Sequence, residues 1–291
     1  MGESQLEQVE SDELFYVPRE AFLALLEGEL SAERCAMVFA AYARINILYM
    51  IARAWSGHPG TCFSSVDIMT WLFLQKMQGL GEGQDQCDLF FSSKGHDAPA
   101  LYAVLSGLGL LDFELIHRLR RVDGLAGHPH VETPFVQANT GSLGMGISKA
   151  KGMALANRRR GQRRRVFVLT GDGELQEGQI WESLGSAVQL GLDEITVIVD
   201  HNKIQSDTWV DDVGPLGDLS SKFASFGWRV TRCDGHDFGV LDAALEQLDA
   251  VSGVPKVLIA DTVKGKGVSF MEGPAALAAD ALYLFHSGAP N

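Results

Sequence analysis

The sequence predicts an α/β fold, a parallel sheet flanked by helices in three layers. Three observations lead there. Short apolar runs, Val166-Phe167-Val168-Leu169, Ile195-Thr196-Val197-Ile198-Val199 and Val257-Leu258-Ile259-Ala260, lack the alternation of a half-exposed strand and suit strands covered on both faces. Stretches with helical spacing lie between them, the pattern of βαβ units. A chain of 291 residues buries about three quarters of its unfolded surface, so it needs no disulfide or metal staple to make a core.

Residues 1–18 read as a flexible acidic N-terminal segment, and 19–291 as one domain. From Ser31 to Trp55 apolar residues recur with helical spacing, at Met37, Val38, Ala41, Ile45, Leu48 and Ile51, with Ser31 as the start signal. Ser56-Gly57-His58-Pro59-Gly60 breaks the pattern. Helical stretches follow at 65–78 and 98–107. Segment 121–146, rich in Gly, Pro, His and Asn, reads as long loops, which inside a compact domain are commonly functional. A helix over 146–160 leads to the strand at 166–169, a helix over 176–190 to the strand at 195–199, a helix over 217–226 to a strand at 228–230, and a helix over 237–249 to the strand at 257–260. The Ala-rich stretch 275–281 reads as a short helix or an insertion.

Composition excludes several classes. Net charge is −13, which disfavours a general nucleic-acid binder. No apolar run reaches 18 residues, so no membrane span is expected. The acidic start resembles neither a secretory signal nor a transit peptide. Four cysteines without a C-x-x-C pair point to reduced, structural thiols and a cytoplasmic location. One basic cluster, Arg158 to Arg160 and Arg163 to Arg165, reads as a solvated helix end rather than a docking patch for an acidic partner.

Gly171-Asp172-Gly173 closes one predicted strand, and Asn202 lies just past the end of the next. Ligands of open parallel sheets gather at the carboxyl ends of strands. Two adjacent strands would bring Asp172 and Asn202 together there. A carboxylate and an amide carbonyl are hard oxygen donors suited to Mg²⁺ or Ca²⁺. Gly173 would open a helix and offer backbone N–H groups to a phosphate. Together these describe a metal-bridged diphosphate site.

At these residues the chain resembles the thiamine-diphosphate enzymes, and its flanking motifs look like transketolase. They are Ser56-Gly57-His58-Pro59-Gly60, Ser93-Lys94-Gly95-His96, Gly127-His128-Pro129 and Thr140-Gly141-Ser142-Leu143-Gly144, besides Gly-Asp-Gly and Asn202. The match covers only the diphosphate-binding half of a transketolase and is similar to the N-terminal subunit of a split one. The resemblance implies a thiamine-diphosphate-binding fold, with Asp172, the Asn202 side chain and the Ile204 carbonyl holding the metal. It implies that His58, His96, Gly141, Ser142, Leu143, Gly173 and Asn202 contact the cofactor. His58, His128 and His286 would face the reacting carbon and sugar hydroxyls, and Glu177 and Glu182 would link paired sites as an interface proton relay. The reaction implied is transfer of a two-carbon ketol unit from a ketose or its phosphate to an aldose.

The same resemblance implies a partner. The pyrimidine-binding domain would come from a separate C-terminal subunit in an α2β2 heterotetramer, and the chain alone would be inactive. Three other readings stand beside it: the α subunit of a thiamine-dependent 2-oxo acid dehydrogenase or decarboxylase, a zinc hydrolase using the histidines, and a non-catalytic scaffold. Spacings of 58, 96 and 128 lack the i, i+4 His pair of a zinc helix. His117, His130, His201 and His236 read as structural. Asp261 stands where the family often has a lysine, and segment 272–285 lacks a clear counterpart. Lys264 and Lys266 read as surface charge on a Gly-rich loop.

Overall fold

The structure, a computed structural model, describes residues 14–273 and 282–289. The predicted helix or insertion at 275–281 lies outside them. Strand β1 spans Leu89–Ser92, β2 Val166–Gly171 and β3 Ile195–His201; a small hairpin, β4 (Ile204–Gln205) and β5 (Thr208–Trp209), follows; β6 spans Arg229–Asp234 and β7 Lys256–Asp261. The main sheet is parallel throughout, in the order β1-β2-β3-β7-β6. Register sets Gly171 beside Asp200 and Asp200 beside Ala260, so the carboxyl ends of β2, β3 and β7 line up along one edge.

Helices cover both faces, as the uninterrupted apolar runs require. On one face Phe90, Phe167, Leu169, Ile198 and Leu258 join a core with residues of α1 (Arg19–Leu26), α2 (Ala32–Ala54), α3 (Pro59–Trp71), α4 (Ala98–Gly107) and, from late in the chain, a helix over Phe238–Asp249. On the other, Phe91, Val168, Val197, Val199 and Ile259 pack against α5 (Gly146–Arg159), α6 (Gly178–Gln189) and the helix Leu219–Ser225. With the short α7 (Val210–Val213), those two late helices are α8 (Leu219–Ser225) and α9 (Phe238–Asp249).

The structure corrects several expectations. Residues 14–18 are not a loose lead-in, because the Val17 amide donates to Asn46 Oδ1 at 2.7 Å and Asn46 returns a bond to the Val17 carbonyl. Helix α2 begins where expected, with Ser31 Oγ accepting from the Arg34 amide. Its buried face is Ala36, Phe39, Ala43, Ile47 and Met50, whereas Met37 and Ile45 are exposed. By length and composition α2 would qualify as a membrane span. It is nevertheless a core helix, with Arg44 paired to buried Asp67 through two bonds of 2.6 and 2.8 Å.

The helix expected to start at residue 65 starts at Pro59, since proline is favoured at the first helical position, where its missing N–H costs nothing. All of α3 is buried, so it carries no amphipathic signal. Strand β1 and helix α1 are additions to the elements expected. β1 is four residues long and buried throughout, too short for a period to be read.

The arginine cluster is solvated only in part: Arg159, Arg160 and Arg163 are exposed, while others are tied down. Arg158 bonds both Glu194 oxygens, at 2.6 and 2.7 Å, Arg163 pairs with Asp193, and Arg165 pairs with Asp88 and Asp249. These bonds fasten the entries of β1, β2 and β3, at the edge opposite the Asp172 end. Residues 282–289 form a strap that returns to the start of α3. The Gly60 amide donates to the Phe285 carbonyl at 3.1 Å, and the Gly288 amide to the Gly57 carbonyl at 2.9 Å.

Candidate active site

The carboxyl edge of the sheet floors a cavity of about 320 Å³. Into it come His58 from the cap of α3, His96 after β1, His128 and Gly141 from the long loops, Asp172 and Gly173 after β2, Asn202 and Ile204 after β3, and His286 from the strap. Leu143 and Glu177 complete the predicted residues that line it. Two do not. Ser142 is exposed on the same turn as Leu143, and Glu182 sits on the exposed face of α6.

The imidazoles cluster. The His58 ring lies 5.1 Å from that of His96 and 5.3 Å from that of His286, with His96 and His286 5.8 Å apart. Burial pushes His58 down to about 4, helped by Arg120 and His128, and pushes His286 down to about 4, helped by Lys264. His96 is held well below the usual imidazole range by burial and Lys94, and His128 is lowered by burial and Arg120. All four are therefore neutral at pH 7 and can each both donate and accept a hydrogen bond. His58 Nδ1 is buried with no partner among the described residues, a polar atom aimed at a ligand. Gly141, at φ 118°, admits His128: a Cβ there would lie 2.7 Å from the ring.

Asp172 is buried, and burial plus the nearby Asp200 raise its carboxyl to about 6. Its oxygens accept from the Gly173 and Lys203 amides, so the Gly173 N–H turns back on Asp172. Gly173 opens a 3-10 turn, and the α-helix starts only at Gly178. Asn202 Nδ2 points at Asp200 Oδ2 at 3.3 Å, leaving Oδ1 as the outward oxygen, where it accepts from the Ile204 amide. One carboxylate, one amide oxygen and the Ile204 carbonyl, which also accepts from Lys264 Nζ at 3.1 Å, are the oxygens that could be offered to a hard divalent cation. Among the described residues no three His, Cys, Asp or Glu side chains converge to hold a metal, so the histidine zinc reading finds no support in the side-chain arrangement.

Beneath the cavity lies a buried ionic network that sequence reasoning missed. Lys94 Nζ bonds Asp200 at 2.6 Å and Thr61 at 3.0 Å, and lies 3.3 Å from Asp97. Asp200 also accepts from Ser64 at 2.6 Å and from Thr262. Burial alone would raise Asp200, but Lys94 and the two hydroxyls hold it below the usual carboxylate range. Glu174 joins three loops, accepting from Ser93 and from the Gly144 and Gly171 amides.

Lys264 is no surface charge. It is buried, lines the cavity, and donates to the Ile204 carbonyl at 3.1 Å and the Ser206 carbonyl at 2.9 Å. Burial lowers its ammonium to about 8. Asp261 lies outside the cavity lining, taken up by Arg232 at 2.7 and 2.8 Å and by His201 at 2.9 Å. The other histidines are structural as read: His236 bridges Asp67 and the Val263 amide, and His117 bonds Tyr49.

An open parallel sheet whose carboxyl edge floors a cavity lined by Asp172, Asn202 and four histidines is the arrangement expected of a thiamine-diphosphate-binding domain. The chain belongs to the transketolase family, its residues 36–282 matching the family model "Transketolase, thiamine diphosphate binding domain". It is 37% identical over 230 residues to a 6-deoxy-6-sulfo-D-fructose transketolase subunit of Clostridium sp. (strain MSTE9), covering 78% of this chain and 84% of that one. It is 37% identical over 221 residues to an apulose-4-phosphate transketolase subunit of Actinobacillus succinogenes, covering 75% and 80%. The transketolase of Campylobacter jejuni superposes with a TM-score of 0.76 at 29% identity, over 87% of this chain but 40% of that one. The chain thus spans most of a subunit-type relative and about two fifths of that solved transketolase, and it corresponds to the N-terminal, cofactor-binding part of the family.

Proposed function

We propose that this chain is the diphosphate-binding subunit of a two-chain transketolase-like transferase. It would move a two-carbon ketol unit from a ketose or its phosphate to an aldose acceptor. The observation that carries the reading is the convergence of His58, His96, His128 and His286 above Asp172 and Asn202 in one cavity. Asp172, Asn202 and the Ile204 carbonyl would hold Mg²⁺ or Ca²⁺. His96, Gly173 and Lys264 would meet the diphosphate, and Gly141 to Leu143 the rings. The bound cofactor supplies the carbon nucleophile and the electron sink.

The chain's own residues do the rest. His58 and His286, neutral and with rings 5.3 Å apart, and His128 in the lining of the same cavity, are suited to donate to the donor's carbonyl oxygen and to move protons on and off sugar hydroxyls as its C2–C3 bond breaks. Glu177, at the rim, and Glu182, on the exposed face of α6, fit a proton relay across a subunit interface. The relatives named as subunits support a separate partner chain, which would carry the pyrimidine-binding domain, with two copies of each chain in the assembly and a cytoplasmic location.

The test mixes the purified chain with its candidate partner, thiamine diphosphate and Mg²⁺. Sedoheptulose 7-phosphate formed from xylulose 5-phosphate and ribose 5-phosphate is the expected result. Oxidation of pyruvate with an artificial electron acceptor instead would favour the 2-oxo acid dehydrogenase reading. Failure of either chain to turn over any sugar in the mixture would favour a scaffold.

A further inference from the structure

Segment 282–289 enters the site in a way its sequence does not announce. Tyr283 is buried to 1% exposure, and its backbone amide donates to the Asp207 carbonyl at 2.7 Å. Its ring fills a slot that only glycines leave open. A Cβ on Gly60 would lie 2.7 Å from the Tyr283 hydroxyl and 2.8 Å from the ring, and one on Gly265 would lie 2.7 Å from the hydroxyl. The Gly265 amide bonds the Gly60 carbonyl at 2.9 Å, so the two walls of the slot are fastened to each other.

On its face the ring carries the Lys264 ammonium, 5.1 Å from the centroid. Lys264 Nζ is also 3.4 Å from His286 Nδ1, so the ring, the ammonium and the imidazole form one continuous stack at the cavity wall. The Phe285 ring meets Tyr283 edge-on at 5.9 Å, and the bonds Phe285 to Gly60 and Gly288 to Gly57 bracket His286 on both sides. The Tyr283 hydroxyl has no hydrogen-bond partner among the described residues. The contacts of Tyr283 with Lys264 and Phe285 are made by its ring.

We propose that Tyr283 is a positioning residue of this site: its ring, seated between Gly60 and Gly265, pins the strap that carries His286 and holds the Lys264 ammonium over the cofactor-diphosphate end of the cavity. What Lys264 and His286 then do rests on the function proposed above; the anchoring does not. A cation over an aromatic face in a desolvated site is held more tightly than on the surface, so loss of the face should be felt at the diphosphate.

The experiment uses the full chain as wild type, Tyr283→Phe and Tyr283→Met, the last keeping bulk without a π face. Hydrogen exchange on the cofactor-free chain is followed for peptides spanning 57–62 and 282–289. Thiamine diphosphate binding with Mg²⁺ is measured by titration calorimetry on each variant mixed with the partner subunit. Y283F should match wild type in both. Y283M should exchange the strap at least about tenfold faster, leave the β2 and β3 amides protected, and bind the cofactor about tenfold more weakly.

Unchanged strap exchange in Y283M would overturn the proposal. So would Y283F as damaging as Y283M, because the hydroxyl would then be the working part. Were Y283M to lose protection throughout the sheet, Tyr283→Leu would take its place, read by the same two measurements. A mixture of wild-type chain and partner subunit that binds no thiamine diphosphate would overturn the proposed function, while strap exchange would still decide the role of Tyr283.

Discussion

At the scale of single residues the site is set by groups that burial has moved off their ordinary protonation. Asp172 is the clearest. Its folded carboxyl is raised to about 6, above the unfolded value, so its stabilising effect is present at low pH and lost as pH rises through 6. Without metal, Asp172→Asn should therefore be as stable as wild type or more so at pH 7.5, by up to about 3 kcal/mol. It should also abolish the Mg²⁺-dependent rise in Tm that the proposed metal site predicts for wild type; calorimetric scans with and without Mg²⁺ check both. The imidazoles carry the opposite sign. His58 and His286 sit at about 4, below the unfolded value, so their contribution is present above pH 6.5 and lost as pH falls toward 4. Tm of the cofactor-free chain should fall across that window, and replacing His58 with Gln should flatten the fall. His128→Ala should keep cofactor affinity and lower kcat about 100- to 10,000-fold, since it deletes a proton-transfer group and not a diphosphate contact. A collapse of cofactor affinity in that variant would assign His128 a different role.

At the scale of elements the network under the cavity shows how the sheet edge is held. Lys94, between β1 and α4, answers Asp200 of β3 and lies close to Asp97. Lys94→Met should cost about 3–5 kcal/mol, because it strands buried carboxylates, and urea unfolding would read the loss. The same network marks where sequence reading stops. Strands β2, β3 and β7 are legible because doubly covered strands are apolar without interruption. Asp172 and Asn202 follow from where those strands end. β1 is not legible, since four buried residues carry no period. The start of α3 is misplaced by sequence because Gly and Pro read as breakers where Pro59 opens the helix. Lys264 misleads because a lysine among glycines looks like a loop charge; only the fold turns its ammonium inward to the Ile204 and Ser206 carbonyls. Glu174 gives no signal, as a carboxylate that serves three loops has no characteristic spacing.

At the scale of the molecule the chain carries a complete diphosphate-binding layer, with four imidazoles facing one cavity. The proposed partner subunit would bring the pyrimidine-binding wall. Light scattering on the mixed chains should show an assembly larger than either alone, and ketol transfer should rise with partner concentration and saturate; activity of this chain by itself at the level of the mixture would refute the two-chain reading. The strap gives the site one more property. Its bond between Gly57 and Gly288 joins residues far apart in sequence, a long-range closure of the kind that is slow to be made. A chain interrupted before residue 282 would lack one imidazole of the cavity and the aromatic face beside Lys264.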